Sequence, residues 1–256
     1  MSILDKFGLQ GKVAIVTGSA RLNGLGFGMA YALAEAGADI MGIDVSDFQE
    51  ARGKIESLGR RFLGIQDDLT RPGVIEKSVV TAQEKMGRID ILVNNAGIIR
   101  RTPALDFSEK DWDDVIQLNL KTVFFLSQAV ARVFQRQGVG GKIINVASML
   151  SFQGGVTVPS YTASKSAVAG LTRALANEWA KLGINVNAIA PGYMATDNTA
   201  ALRADPVRAA SILDRIPAGR WGENSDLQGT VVFLASAASD YVQGHILAVD
   251  GGWLAR

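Results

Sequence analysis

Tyr161 and Lys165 stand four residues apart, and Ser148 lies thirteen residues upstream, in the stretch SMLSFQGGVTVPSYTASK. If the chain is helical from about Tyr161 onward, the phenol and the ammonium share one face, one turn apart. Val168, Leu171, Leu175, Trp179 and Leu182 recur at three- and four-residue steps, which supports that helix. Two unit charges about 4 Å apart interact by roughly 4 kcal/mol at an effective dielectric of ~20. An ammonium so placed is expected to bring the phenol from ~10 down by about two to three pH units, where it can exchange protons near neutrality. Ser148 adds a hydroxyl to hold the reacting oxygen. The same Tyr-x3-Lys spacing also marks the solvated edge of many amphipathic helices, so the rest of the chain must decide between the two readings.

The elements that would position these groups alternate along the whole chain. Val13 to Thr17 is a short apolar run of the kind that forms a strand buried on both faces. It leads into GSARLNGLGFG and a helical pattern through Met29, Leu33 and Ala36, closed by Gly37. Such a turn lets the backbone approach a pyrophosphate and offers helix N–H groups to it, although small residues also serve tight strand-to-helix packing. Asp39 to Asp44 reads as a second strand ending in a carboxylate. An acid there accepts both adenosine ribose hydroxyls and repels a 2′-phosphate, or else it caps the next helix. Arg21 argues the other way, since a guanidinium in the glycine turn can pair with a 2′-phosphate. The balance favours NAD over NADP.

Further strands are expected at Arg61 to Gln66, Ile89 to Val93, Lys142 to Ala147, Asn185 to Ala190 and Ile246 to Val249, with helices at about Pro72 to Met86 and from Ser108 towards Gln137. Ser108 with Asp111 three residues on resembles a capping box. Alternating strands and helices imply a single doubly wound parallel α/β sheet of about seven strands with helices on both faces, spanning residues 1–256. Gly18, Asp44, Asp68, Asn94, Ser148 and Gly192 each fall at a strand's end, and so along the carboxyl edge where open α/β sheets bind ligands.

Bulk properties exclude several classes. A formal net charge of +1 gives no reason to expect nucleic acid or an anionic membrane as partner. The chain has no cysteine, hence neither disulfides nor thiolate chemistry, and its one histidine, His245, makes no metal site. No signal peptide opens it and no apolar run reaches a membrane span, so a soluble cytoplasmic protein is expected.

Taken together these residues resemble the short-chain dehydrogenase/reductase family over essentially the whole chain: Thr17, Gly18, Gly24 and Gly26 in the first turn, Asp44, Asp68, Asn94-Asn95-Ala96-Gly97, Asn119, Ser148, Tyr161 with Lys165, and Pro191-Gly192. The resemblance implies a Rossmann-type domain that moves a hydride between a nicotinamide cofactor and an alcohol or carbonyl. It assigns Tyr161 as general acid/base, Lys165 to the nicotinamide ribose, Ser148 to the substrate oxygen and Asn119 to a water relay behind Lys165. Asn95, Ala96, Gly97 and Thr196 would line or contact the cofactor. One departure stands out: five residues, not the family's common three, separate Gly18 from Gly24, which leaves the orientation of Arg21 open.

The blocks NNAGIIRR, SMLSFQGG, IAPGYMAT, RIPAGRWG and VDGGWLAR are similar to the branch of the family that acts on deoxy-keto sugar acids. A polyhydroxy carboxylate calls for a cation and hydrogen-bonding groups at the mouth. Arg100, Arg101, Gln153 and Arg203 are the candidates, each arginine being equally readable as a solvated or interface charge. Residues 193–215 are expected to form a small lid. The family also implies a homotetramer. Reduction of another carbonyl, such as a gluconate keto acid or a 3-oxoacyl thioester, stays open, as does a nucleotide-sensing protein without turnover.

Overall fold

The computed structural model describes residues 2–256. Seven strands form one parallel sheet in the order β3-β2-β1-β4-β5-β6-β7. These are β1 (Val13–Thr17), β2 (Asp39–Asp44), β3 (Phe62–Gln66), β4 (Ile91–Asn94), β5 (Gly141–Val146), β6 (Ile184–Pro191) and β7 (Ile246–Val249). All seven expected strands are present, with ends shifted by at most two residues. The order reverses between β1 and β4, and this opens a crevice at the carboxyl edge.

The helices are α1 (Leu25–Glu35), α2 (Gln49–Glu56), α3 (Val74–Met86), α4 (Glu109–Ile116), α5 (Val123–Gln137), α6 (Pro159–Trp179), α7 (Ala200–Ala204), α8 (Pro206–Arg215) and α9 (Gln228–Ala235). The strand alternation sorts them. Ala14 and Val16 of β1 pack with α1, α2 and α9, whereas Ile15 packs with α3, α5 and α6. Every residue of β1 and β6 is buried, as a sheet covered on both faces requires.

Ser108 does cap α4, accepting a hydrogen bond from the Asp111 amide at 3.1 Å. The long helix expected from there to Gln137 is broken, however, by a π-helical turn at Gln117–Thr122. Helix α6 begins at Pro159, where a proline has no amide to lose. Beyond β6 the chain doubles back through Met194, bridged to Gly222, before α7 and α8.

Candidate active site

The two groups of the Tyr-x3-Lys pair meet at the start of α6. Lys165 is buried, and its Nζ donates to the Val146 carbonyl at the end of β5 at 2.6 Å. The same Nζ lies 5.6 Å from the centre of the Tyr161 ring. Helix and strand end are stitched together by Ser151 Oγ donating to the Lys165 carbonyl at 2.6 Å and Ser166 Oγ to the Leu150 carbonyl at 3.3 Å. Ser148 closes the group: it is buried just past β5, and its Oγ accepts from the Leu150 amide at 3.1 Å.

The electrostatics correct one expectation. Burial raises the Tyr161 pKa above its ordinary value, and the two influences that lower it are hydrogen bonding with Ser148 and the charge of Arg101. Lys165 is not among them. Desolvation lowers its own pKa from 10.5 to about 8, and its Nζ gives one hydrogen to the Val146 carbonyl. The lysine is thus a strained charge beneath the tyrosine and not the source of a lowered phenol.

Asn119 lies in the π-helical turn and is fully buried. Its side chain clamps one backbone unit: Oδ1 accepts from the Ile98 amide and Nδ2 donates to the Ile98 carbonyl, both at 2.9 Å. Nδ2 also donates to Ser164 Oγ at 3.3 Å, one residue before Lys165. The turn presents a side chain that a regular helix would place elsewhere, and the sequence carried no sign of it. Equally unannounced is a buried chain of polar groups under α6. Asn94 Nδ2 donates to Ser127 Oγ and Asn145 Oδ1 at 2.9 and 2.8 Å, and Asn145 Nδ2 donates to Thr172 Oγ1 at 3.0 Å.

The glycine turn fits a dinucleotide. Gly18 has φ +67°, and a Cβ there would meet Asn95 Nδ2 at 2.9 Å; a Cβ at Gly26 would collide with the Gly18 carbonyl. Asn95 Nδ2 binds the Thr17 and Gly18 carbonyls at 2.9 and 3.1 Å, while Thr17 Oγ1 accepts from the Asn95 and Ala96 amides at 3.0 and 2.9 Å. Gly24 precedes α1 with no side chain capping the first-turn amides, which leaves them to a phosphate. Asp44 Oδ2 accepts from the Ala20 amide and its Oδ1 from the Ser46 amide, each at 3.0 Å, so this acid also anchors the turn. Asp68 Oδ1 accepts from Thr70 Oγ1 at 2.7 Å and from the Thr70 amide at 2.9 Å.

A cleft of about 380 Å³ joins the two regions. Gly18, Arg21, Gly24, Asp44, Asp68, Asn95, Ala96, Gly97, Tyr161, Lys165 and Thr196 all line it. Gly26, Pro191 and Gly192 do not: Gly26 sits against the Gly18 carbonyl, while Pro191 ends β6 and a Cβ on the following Gly192 would strike Asp250. None of the four expected substrate residues lines this cleft, and of them only Arg101 bears on Tyr161 through its charge. It carries no carboxylate partner among the described residues, donates to the Asn198 carbonyl at 3.0 Å, and acts on the Tyr161 phenol. Arg100 turns to α4 and pairs with Asp111 at 3.3 Å and Asp114 at 3.8 Å. Arg203 donates to the Thr196 carbonyl at 3.1 Å. Gln153 accepts from Arg215 at 3.5 Å, and that guanidinium lies 4.1 Å above the ring of buried Trp253. His245 is exposed, and no metal-binding cluster exists among the described residues.

Comparison with known proteins agrees with this geometry. The family model described as enoyl-(acyl carrier protein) reductase matches residues 18–254. The 2-dehydro-3-deoxy-D-gluconate 5-dehydrogenases of Escherichia coli K12 and Dickeya dadantii are 64% and 63% identical, each alignment covering 99% of this chain and 100% of the relative. A crystal structure of a gluconate 5-dehydrogenase from Burkholderia cenocepacia, in complex with NADP and tartrate, superposes with a TM-score of 0.94 at 40% identity, covering 100% of both chains. The chain belongs to the short-chain dehydrogenase/reductase family of nicotinamide-dependent oxidoreductases.

Proposed function

We propose that this enzyme transfers a hydride between NAD(H) and a hydroxyl or keto group of a deoxy sugar acid, as its 2-dehydro-3-deoxy-D-gluconate 5-dehydrogenase relatives are named for. The observation that carries the reading is the single cleft with Tyr161 and Lys165 at one end and Asp44 and Asp68 at the other. The uncapped start of α1 would hold the pyrophosphate, Asp44 the adenosine ribose, and Lys165 the nicotinamide ribose. A bound nicotinamide supplies the hydride-exchanging carbon.

The chain's own residues manage the proton. Tyr161, kept protonated by burial, donates to a carbonyl oxygen in the reducing direction and takes the proton back in the other. Ser148 orients that oxygen. Hydrogen bonding with Ser148 and the charge of Arg101, the two influences that lower the phenol's pKa, favour a transient phenolate. Asn119 fixes the Ile98 backbone and, through Ser164, the turn of α6 that carries Lys165. Arg101, a cation without a carboxylate partner among the described residues whose charge bears on the phenol, meets the substrate carboxylate, which favours a sugar acid over a neutral thioester.

Residues 193–215 serve as the substrate lid, and the chain works as a homotetramer in the cytoplasm. No helix among the described residues is long and apolar enough to cross a membrane, and Trp112 and Phe125 on α4 and α5 are exposed apolar groups that suit a subunit contact. Choice of NAD rests on Asp44. NADP in the Burkholderia structure is the competing reading, in which Arg21 would serve a 2′-phosphate.

The test is an NAD(P)H absorbance assay over keto-sugar acids and 3-oxoacyl thioesters, each cofactor alone, with Tyr161→Phe as control. Turnover of a deoxy sugar acid with NADH is expected, falling about 10²–10⁴-fold in Tyr161→Phe while NADH binding holds. Turnover confined to thioesters, or surviving in the variant, refutes the assignment.

A further inference from the structure

The lengthened glycine turn reaches across the cleft. Arg21 Nη1 lies 3.2 Å from Asp197 Oδ2, and Asn23 Nδ2 donates to Asp197 Oδ1 at 2.8 Å. Arg21 and Asn23 both fall in the five-residue spacing between Gly18 and Gly24, while Asp197 follows β6 on the opposite wall. All three line the cleft. Both donors of one wall thus converge on one carboxylate of the other.

The position of Arg21 gives this contact a consequence. Its neighbour Ala20 is bonded through its amide to Asp44, so Arg21 leaves the backbone beside the end of β2, where a ribose 2′ substituent is read. From there the guanidinium has two anionic destinations, a cofactor 2′-phosphate or Asp197. In the structure it takes Asp197.

We propose that Asp197 is a specificity-determining residue: it holds Arg21 across the cleft, away from a 2′-phosphate, and so tilts cofactor choice towards NAD. The proposal rests on the NAD reading above, in which Asp44 supplies the main discrimination. Asp197 acts through Arg21 and adds a second, smaller increment. The pair is exposed, with side-chain accessibilities of 67% and 55%, so its contribution is modest. An exposed ion pair of this sort shifts a binding constant by about twofold to fivefold.

The experiment is direct titration of NADH and NADPH by cofactor fluorescence, without substrate, on the full-length protein and on Asp197→Ala, Arg21→Ala and the double variant. In Asp197→Ala the ratio of NADPH to NADH affinity is expected to rise about two- to fivefold. In the double variant that gain is expected to vanish, because no guanidinium is left to release. An unchanged ratio in Asp197→Ala overturns the proposal, and so does a gain that persists without Arg21. If the unaltered protein binds NADPH more tightly than NADH, the NAD reading falls, yet the change on removing Asp197 still decides this proposal.

Discussion

Replacing Lys165 by methionine separates the cost of the buried charge from its use. Burial lowers the Lys165 pKa from 10.5 to about 8, a gap worth about 3 kcal/mol. Below pH 8 folded and unfolded chains both carry the ammonium, and the folded one bears the full desolvation cost. Between about 8 and 10.5 the unfolded chain binds the proton and the folded chain releases it, so stability rises with pH through that window. Methionine has similar length and no charge, and it forfeits only the hydrogen bond to the Val146 carbonyl, about 1 kcal/mol.

At pH 7, therefore, Lys165→Met is expected to be more stable than the unaltered protein by about 2 kcal/mol. The advantage shrinks through the window and reverses near pH ~10. Urea unfolding of both proteins at matched pH values measures the difference, and other titrating groups cancel in it. A difference that stays flat from pH ~7 to ~10 refutes the argument, as does one that grows in favour of methionine. The same variant should lose turnover, since a destabilising charge retained beside Tyr161 has a use in chemistry and none in packing.

Asp44→Ala should weaken NADH binding about tenfold and relax rejection of NADPH, read by fluorescence titration; an unaltered preference would show that the carboxylate serves only the Ala20 and Ser46 amides. Arg101→Ala should raise KM for acidic substrates about ten- to a hundredfold and for neutral alcohols no more than about twofold, while equal effects would make the arginine a strap for the Asn198 carbonyl. Asn119→Ala should lower the urea-derived stability by about 1–3 kcal/mol for each Ile98 group left unpaired, and an unchanged midpoint would mean that water replaces the amide.

The sheet was legible because its strands are short, mostly apolar runs, the pattern expected of parallel strands covered on both faces. VAIVT is buried throughout, as such a run should be. Helices α2 and α9 escaped notice for opposite reasons. The first has only Ala51 and Ile55 to bury, and the second, QGTVVFLA, is nearly apolar all round and shows no periodicity. The π-helical turn was hidden because QLNLKT sits inside a continuous helical pattern, and the shift of register that aims Asn119 at Ile98 leaves no mark on apolar spacing. Charges were read least well. Arg100 and Arg101 are neighbours in sequence, yet one is neutralised by Asp111 and Asp114 and the other has no carboxylate partner among the described residues and turns to the Asn198 carbonyl. Nothing local distinguishes them, because the distinction is made by the direction in which each side chain leaves a loop.

The same reasoning explains why a tyrosine and a lysine one turn apart are not in themselves a site. On an exposed helix they would be solvated and ordinary. Here Lys165 is driven under the sheet edge, and it stays there because α6 is fastened to β5 at several points: through Ser151 and Ser166 to the chain after the strand, and through Asn145 to Thr172 inside it. Each is a modest bond, about 0.5–1.5 kcal/mol, but together they suffice to hold a charge whose burial opposes folding by about 3 kcal/mol. Such side chains touch no reacting atom, and Asn94, Asn145 and Thr172 read in the sequence as unremarkable strand and helix residues. The site depends on them nonetheless, because loosening that seam would let the ammonium escape to water and remove from beside Tyr161 the group proposed to hold the nicotinamide ribose.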